Sequence, residues 1–552
     1  MSRQARSGSS SCIRPMTRRR RFSGLLPPPD PTTPPFALKC DLVLNWARAI
    51  GATALDKLPP GQLTLFLAFY VLAQVAIGIW AGRGAKSETD YYLGGRGIGF
   101  PALTLSIFAT WFGAETILGS ASAIAEGGLA GARAEPFGYA ICLVLMALFV
   151  AGPIRKSNYV TIADFFRERF GKKAEIASAA VSVVISVIWA GAQLLAVSAI
   201  LETVVGIPGY VTLFVAAGIV IVYCYYSGLK GDIATDIVQG LFLIVGIVIL
   251  FLAVADRAGG FSALIASIKP EQLRLVAEGE TTFARIDNWM IPVMGSIVTQ
   301  EALTRFLAAK STRVAKSACF AAAGLYLALG MLPVLMGLGG THLGIPGAEG
   351  DNFIPALALE LLPNLLAIVL VGALFSAILS TVDSNLLAVS SLVSINLMRR
   401  SHGRRGEKEQ LQIARMTTVA AGLSALFVAW ISTVSDGGGS AIYELLAMTS
   451  IFGQGGILVA TMIGLRSSFG GGAAALASLF ACVAFNLATL VVMPVSSAMG
   501  QGMDFGSAFL ATLAGEVAPI DGFFLWSIVV SIVAYVAVAV AVPNAGALKP
   551  AQ

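Results

Sequence analysis

Histidine is almost missing from this chain: His342 and His402 are the only two among 552 residues. That shortage removes the raw material for an imidazole-rich metal cage or a histidine-based catalytic triad, and enzyme chemistry is not expected. Cysteine is sparse as well. Cys12, Cys40, Cys142, Cys224, Cys319 and Cys482 lie far apart, without the close pairs of a zinc or redox motif, and read as small apolar fillers. Charge is the third shortage. Only 12% of residues are Asp, Glu, Lys or Arg, against roughly a quarter in a soluble domain. With 56% of residues hydrophobic, the chain reads as an all-α polytopic membrane protein whose main partner is the lipid bilayer. The net charge of +6 follows from its distribution between loops and does not imply nucleic acid. No filter motif of a channel is present.

Residues 1–37 are rich in Arg, Ser and Pro and cannot form a core, so they read as a disordered tail, followed by a juxtamembrane segment at 38–61. The tail lacks the apolar h-region of a signal peptide. Thirteen apolar segments then follow, near 62–82, 99–126, 136–154, 174–202, 209–227, 234–255, 288–307, 317–340, 364–397, 413–434, 441–464, 471–494 and 522–542, each read as one membrane span. Lys and Arg crowd the loops at 83–96, 155–173, 305–316 and 399–415, whereas those at 340–352 and 495–521 have none. The positive-inside rule makes the first set cytoplasmic, with the N-terminus outside and Arg305 anchoring a cytoplasmic loop. The Arg-rich tail opposes this; either it is not part of the mature protein or the first span is threaded differently. The expected location is the plasma membrane, a bacterial inner membrane in particular.

The segment 370–394 carries a polar seam in an apolar helix. Ala377, Ser380, Thr381 and Ser384 follow the i, i+3, i+4, i+7 spacing of one helix face. Asp383 lies beside them, at a cost of roughly 2.5–3.5 kcal/mol in the bilayer unless it meets a cavity or partner. Two readings stand: the seam faces an ion, or its hydroxyls bond back to the preceding helical turn. Two spans are interrupted, at 99–126 with Gly113, Glu115 and Gly119, and at 288–307 with Pro292, Gly295, Gln300 and Glu301. They lie five spans apart. Such a matched pair points to an inverted repeat with its site at the midplane; packing needs of Gly and Pro are the alternative.

Tyr92-Leu93-Gly94-Gly95-Arg96, the run 228–239 (GLKGDIATDIVQ) and the seam around Ser380 resemble the sodium:solute symporter family, over residues 62–465. The resemblance implies a LeuT-type five-plus-five inverted repeat, with repeats at 99–255 and 288–464, an extra first span, and two added spans and a short tail within 466–552. It also implies a symporter that takes up a small organic solute with Na+. The implied sodium site is Ala109, Phe112, Ala377, Ser380 and Thr381, where carbonyls freed by unwinding meet hydroxyls. A second cation is implied near Asp236, Ser380, Asp383 and Ser384, with helix capping as the alternative role of Asp236. Ala109-Thr110-Trp111, Gly138-Tyr139 and Ser380-Thr381-Val382-Asp383-Ser384 are similar to the high-affinity choline transporter branch. That likeness implies a substrate cage of Trp111, Tyr139 and Trp189, with Thr299 where a further tryptophan would stand and Gln300 beside it. Glu115 and Glu301 would add negative charge. A sensor acting through a separate partner, and a symporter for a monocarboxylate, amino acid or other neutral or anionic solute, are the alternatives.

Overall fold

The computed structural model describes residues 60–113, 115–131, 133–205, 207–348, 350–398, 406–434, 454–489, 493–500, 502–504 and 521–542. The expected tail at 1–37, the adjoining stretch to residue 59, positions 441–453 of an expected span and most of the 495–521 loop lie outside them. Helix dominates because a bilayer supplies no partners for backbone amides, so each span must satisfy its own. In chain order the helices used below are α1 (Pro60–Gly82), α2 (Phe100–Trp111), α3 (Ser120–Gly127), α4 (Tyr139–Phe149), α5 (Lys172–Val205), α6 (Gly209–Arg257) and α7 (Thr282–Met294). There follow α8 (Gln300–Ala308), α9 (Thr312–Gly340), α10 (Asn364–Ser391), α11 (Glu407–Val434), α12 (Gln454–Arg466), α13 (Gly472–Leu487) and α14 (Phe523–Ala541).

Every expected apolar segment is mainly helical where it is described, apart from the breaks within 99–126 and 288–307. Six described helices are long and apolar enough to cross a membrane, or seven when the bent pair at 100–130 is taken as one span. The number falls below thirteen partly because α6 holds two expected spans, 209–227 and 234–255, in one run of 49 residues. The run is not straight. Gly228 sits at φ 54°, ψ −169°, and the hydroxyls of Tyr223 and Thr235 meet at 2.5 Å. Twelve residues of straight helix would hold them about 18 Å apart, so α6 folds back on itself at this glycine.

Both interrupted spans are broken. In the first, α2 stops at Trp111 and the chain leaves helical geometry at Phe112 (φ −83°, ψ 67°) before a π-helical turn at Glu115–Gly119. The two halves diverge by 63°. The Phe112 ring packs between Phe108 and Tyr326, which fixes the break. In the second, Pro292 lies within α7 and Thr299 is extended (φ −69°, ψ 142°) ahead of α8. The start of the first broken span and the end of the second meet in a backbone bridge between Ile98 and Ala309.

The basic loops gather at one end of the bundle. Arg96 donates to the carbonyls of Ser157, Asn158 and Tyr159, and Arg155 to that of Ala309. At another place Arg133 and Glu280 form a buried ion pair, Asn288 donates to Glu280 at 2.8 Å, and Asp287 accepts from the first amides of α14, Phe524 and Leu525, at 3.1 and 2.9 Å.

The corner at Gly228 generates a prediction. A Cβ there would stand 2.8 Å from the Tyr91 ring, and its backbone region is open almost only to glycine, at a cost of about 1–3 kcal/mol for other residues. Gly228→Ala should lower the melting temperature of the purified protein by several degrees. Gly84→Ala, where a Cβ meets nothing within 4 Å, should leave it unchanged. Equal melting temperatures for both variants would contradict the strained corner.

Candidate functional site

The two helix breaks face each other across a cavity of about 810 Å3, counting its mouth. Three expected ring residues line it: Trp111 from the end of α2, Tyr139 from the start of α4, and Trp189 from the middle of α5. Thr299, Gln300, Glu301 and Thr381 line it too. The structure therefore brings together every expected substrate residue whose side chain is described; the Glu115 side chain lies outside the described residues.

Their hydrogen bonds separate them by role. Gln300 is clamped, since its Oε1 accepts from the Ile162 amide at 2.8 Å and its Nε2 donates to Val160 O and Thr304 Oγ1. Its amide is thus spent on holding the turn before the helix Ile162–Phe170. Glu301 is the opposite case: its Oε2 is buried without a hydrogen-bond partner. Glu135, absent from the sequence expectations, also lines the cavity and accepts from the Tyr326 hydroxyl, which bonds Thr116 as well, at 2.8 Å. Among the described residues no Lys or Arg lines the cavity. Gln193, Asn385 and Gln454 are further polar lining residues absent from the sequence expectations, as are Ser182, Ser186 and Ser296. Gln193 lies four residues beyond Trp189 and Asn385 four beyond Thr381, so helix periodicity applied outward from the expected residues would have found both.

The seam on α10 is fully buried. Much of it does bond back to its own helix: Ser380 Oγ donates to Ala377 O at 2.8 Å and Ser384 Oγ to Ser380 O at 2.8 Å. Thr381 also reaches across. Its Oγ1 is 3.4 Å from both Ala377 O and Thr110 O, the latter on α2. Gly113 allows this approach, because a Cβ there would lie 3.2 Å from Thr381 Oγ1. The Gly113 amide turns to Trp111 O at 3.0 Å, a bond that leaves the helical ladder to Ala109. Ala109, Phe112, Ala377, Ser380 and Thr381 are all buried at this junction.

Arg305 departs from its expected place in a cytoplasmic loop. It is 1% exposed within α8, and its Nη2 lies 3.0 Å from Asp232, 3.1 Å from Asp236 and 2.6 Å from Ser384 Oγ. Its Nε donates to Ser106 at 3.1 Å, and Ser106 donates to Asp236 at 2.5 Å. Capping does not describe Asp236 either. It stands in the second turn after the Gly228 corner, fully buried and bound to α2 and α8. The sequence places a basic residue at a loop border; the structure turns it inward because two carboxylates on α6 lie within reach. Asp383 abuts Asp232 and Tyr223 but makes no ion pair with Arg305.

This cluster yields a second prediction. Removing one partner of a buried ion pair costs about 3–5 kcal/mol because the other charge stays behind. Arg305→Gln should therefore lose most folded protein, measured by fluorescence-detected gel filtration. Adding Asp232→Asn should restore more than half of the loss. No recovery in the double variant would show that Arg305 acts elsewhere.

The comparisons with known proteins agree with this geometry. The family model for the sodium:solute symporter family matches residues 91–453. The human high affinity choline transporter 1 is 28% identical over 393 residues, covering 66% of this chain and 67% of that protein. The high-affinity proline transporter PutP of Bacillus subtilis (strain 168) is 25% identical over 374 residues, covering 64% and 78%. A Na+-coupled sialic acid symporter in a substrate-bound outward-open state superposes with a TM-score of 0.71 at 16% identity, covering 88% of this chain and 99% of that one. The fold is thus the LeuT-type inverted repeat of transporters. A matched region running from the Tyr91-Tyr92 segment to the last residues before α12, with two broken helices around one cavity, places this chain in the sodium:solute symporter family.

Proposed function

We propose that this protein is a sodium-coupled symporter that imports a small organic cation, an amine or quaternary ammonium compound, by alternating access. The lining of the cavity carries the reading: two carboxylates, Glu135 and Glu301, three aromatic residues, Trp111, Tyr139 and Trp189, and, among the described residues, no basic side chain. A quaternary ammonium donates no conventional hydrogen bond, so ring faces and nearby negative charge are what hold it. A desolvated cation gains about 2 kcal/mol or more per good ring face. Thr299 leaves one wall without a ring, which suits a solute bulkier than a bare trimethylammonium group.

Sodium is the co-substrate. It is a hard ion that takes oxygen ligands, and Ala109, Phe112, Ala377, Ser380 and Thr381 offer carbonyls and hydroxyls where α2 unwinds. Trp111 and Thr381 belong to the same cavity wall, and Trp111 adjoins Phe112. Ion occupancy and substrate occupancy therefore act on one segment, and each raises the affinity for the other by the same factor. An inward potential adds about 2.3 kcal/mol per charge per 100 mV. At the place that family resemblance gives to a second cation, among Asp236, Asp383 and Ser384, the Arg305 guanidinium serves as the positive charge toward Asp236 and Ser384. The basic end of the bundle faces the cytoplasm, in a plasma membrane.

Uptake into proteoliposomes tests both halves. Trp111→Ala should raise the half-saturating substrate concentration about ten-fold or more, and Trp111→Phe by less. Inhibition of uptake by monocarboxylates, with none by choline, betaine or other amines, would overturn the cation preference. For sodium, the Ser380→Ala, Thr381→Ala double variant should raise the half-activating sodium concentration about ten-fold while protein remains in the membrane. An unchanged sodium dependence would remove this site.

A further inference from the structure

A second cavity lies on the far side of Asp383. It is a small space between α1, α6 and α10, about 330 Å3 when the open room at its mouth is counted. Apolar side chains such as Val71, Val220 and Leu379 form part of its wall, but five polar ones face it: Gln74, Tyr223, Thr235, Gln239 and Asp383. Gln74 and Gln239 are 6% and 4% exposed, and the Oε1 atom of each is buried with no hydrogen-bond partner. An unpartnered buried amide oxygen costs about 1–3 kcal/mol, and two of them aimed at one cavity point to a ligand there.

The charge balance says which kind. Asp232, Asp236 and Asp383 are packed together, and the one guanidinium among them pairs with Asp232 and Asp236. Asp383 makes no ion pair with it: its carboxylate abuts Asp232, bonds with the Tyr223 hydroxyl, lies 3.4 Å from the Ser384 hydroxyl, and lines the cavity. The Tyr223 and Thr235 hydroxyls, 2.5 Å apart, add oxygen donors on the same wall. One carboxylate, two amide oxygens and two hydroxyls form an oxygen set with a single full charge, suited to a monovalent cation of sodium's size and too weakly charged for a divalent one.

We propose that this cavity is a second monovalent-cation site, formed by Gln74, Tyr223, Thr235, Gln239 and Asp383 and completed by α1, a helix outside the inverted repeat. The inference rests on the sodium-symport reading above, and it moves the second cation from Asp236 and Ser384, where Arg305 sits, to the opposite face of Asp383. Helix α1 is held there by Gly78, whose Cβ position would be 2.0 Å from the Tyr223 ring. The approach that presses Tyr223 against α1 also turns Gln74 into the cavity.

Equilibrium binding of radioactive sodium to the purified full chain in lipid nanodiscs tests the site. The intact protein should bind two ions. Gln74→Leu with Gln239→Leu should bind one, as should Ser380→Ala with Thr381→Ala, and all four changes together should bind none. Gln74→Glu, which keeps an oxygen and adds a charge, guards against misfolding: it should keep two ions and tighten one of them at least three-fold. Two ions retained after both Gln→Leu changes would overturn the proposal, as would a single ion in the intact protein that disappears with Ser380 and Thr381. The latter result leaves sodium symport standing, whereas no bound sodium in the intact protein would overturn both readings.

Discussion

One guanidinium among three carboxylates sets the conditions for the rest of this structure. Arg305 and its partners are taken out of water in a chain that has little else charged at that depth, so their solvation must be replaced almost atom for atom. The replacement draws on four separate helices: Ser106 from α2, Asp232 and Asp236 from α6, Glu301 O within α8 itself, and Ser384 from α10. The inner halves of both broken spans are thereby tied to the same charge, and the α6 corner at Gly228 is what brings Asp232 and Asp236 to the right height. Apolar packing fills the space around this cluster, but packing alone would accept many helix registers. The ion pairs accept one.

The cavity between the breaks obeys the complementary logic. Its polar groups are left partly unmet: the Oε2 of Glu301 and the amide oxygens of Gln193 and Gln454 have no partner. Such groups are tolerated where a ligand or water completes them. Gln300 shows the contrast, because both ends of its amide are already engaged with the chain. Neighbouring residues on one broken helix, Gln300 and Glu301, thus divide between holding the scaffold and facing the cavity.

Much of this was legible in the sequence because lipid makes helical patterns plain. The apolar runs, the paired interruptions and the hydroxyl seam each follow from periodicity and from the cost of polar groups in hydrocarbon. Trp111, Tyr139, Trp189, Thr299, Gln300 and Glu301 line one cavity, and Thr381 from the hydroxyl seam lines it with them. What escaped was whatever depends on distances between helices. Arg305 sits where a charge-counting rule finds a loop, and only its proximity to Asp232 and Asp236 turns it inward. Glu135 escaped because it lies in an irregular turn with no period to place it. The border between the two expected spans 209–227 and 234–255 coincides with the corner at Gly228; what the pattern does not give is how tightly the halves fold there, bringing Tyr223 onto Thr235.

The bridge between Ile98 and Ala309 consists of two backbone hydrogen bonds, Ile98 N to Ala308 O at 3.1 Å and Lys310 N to Ile98 O at 2.8 Å. A short strand contact of this kind is a fastener of low and nearly temperature-independent strength, since parting it exchanges amide bonds for equivalent bonds to water at about 0.5–1.5 kcal/mol each. The start of the first broken span and the end of the second are therefore joined by two amide bonds backed by apolar packing of Ile98 against Leu229, Ile233 and Ala308. Parting them would draw little heat-capacity change from the amide bonds and most of it from the apolar surface around Ile98. Any motion that opens this seam would take its temperature dependence from the packing around Ile98 and not from the bridge itself.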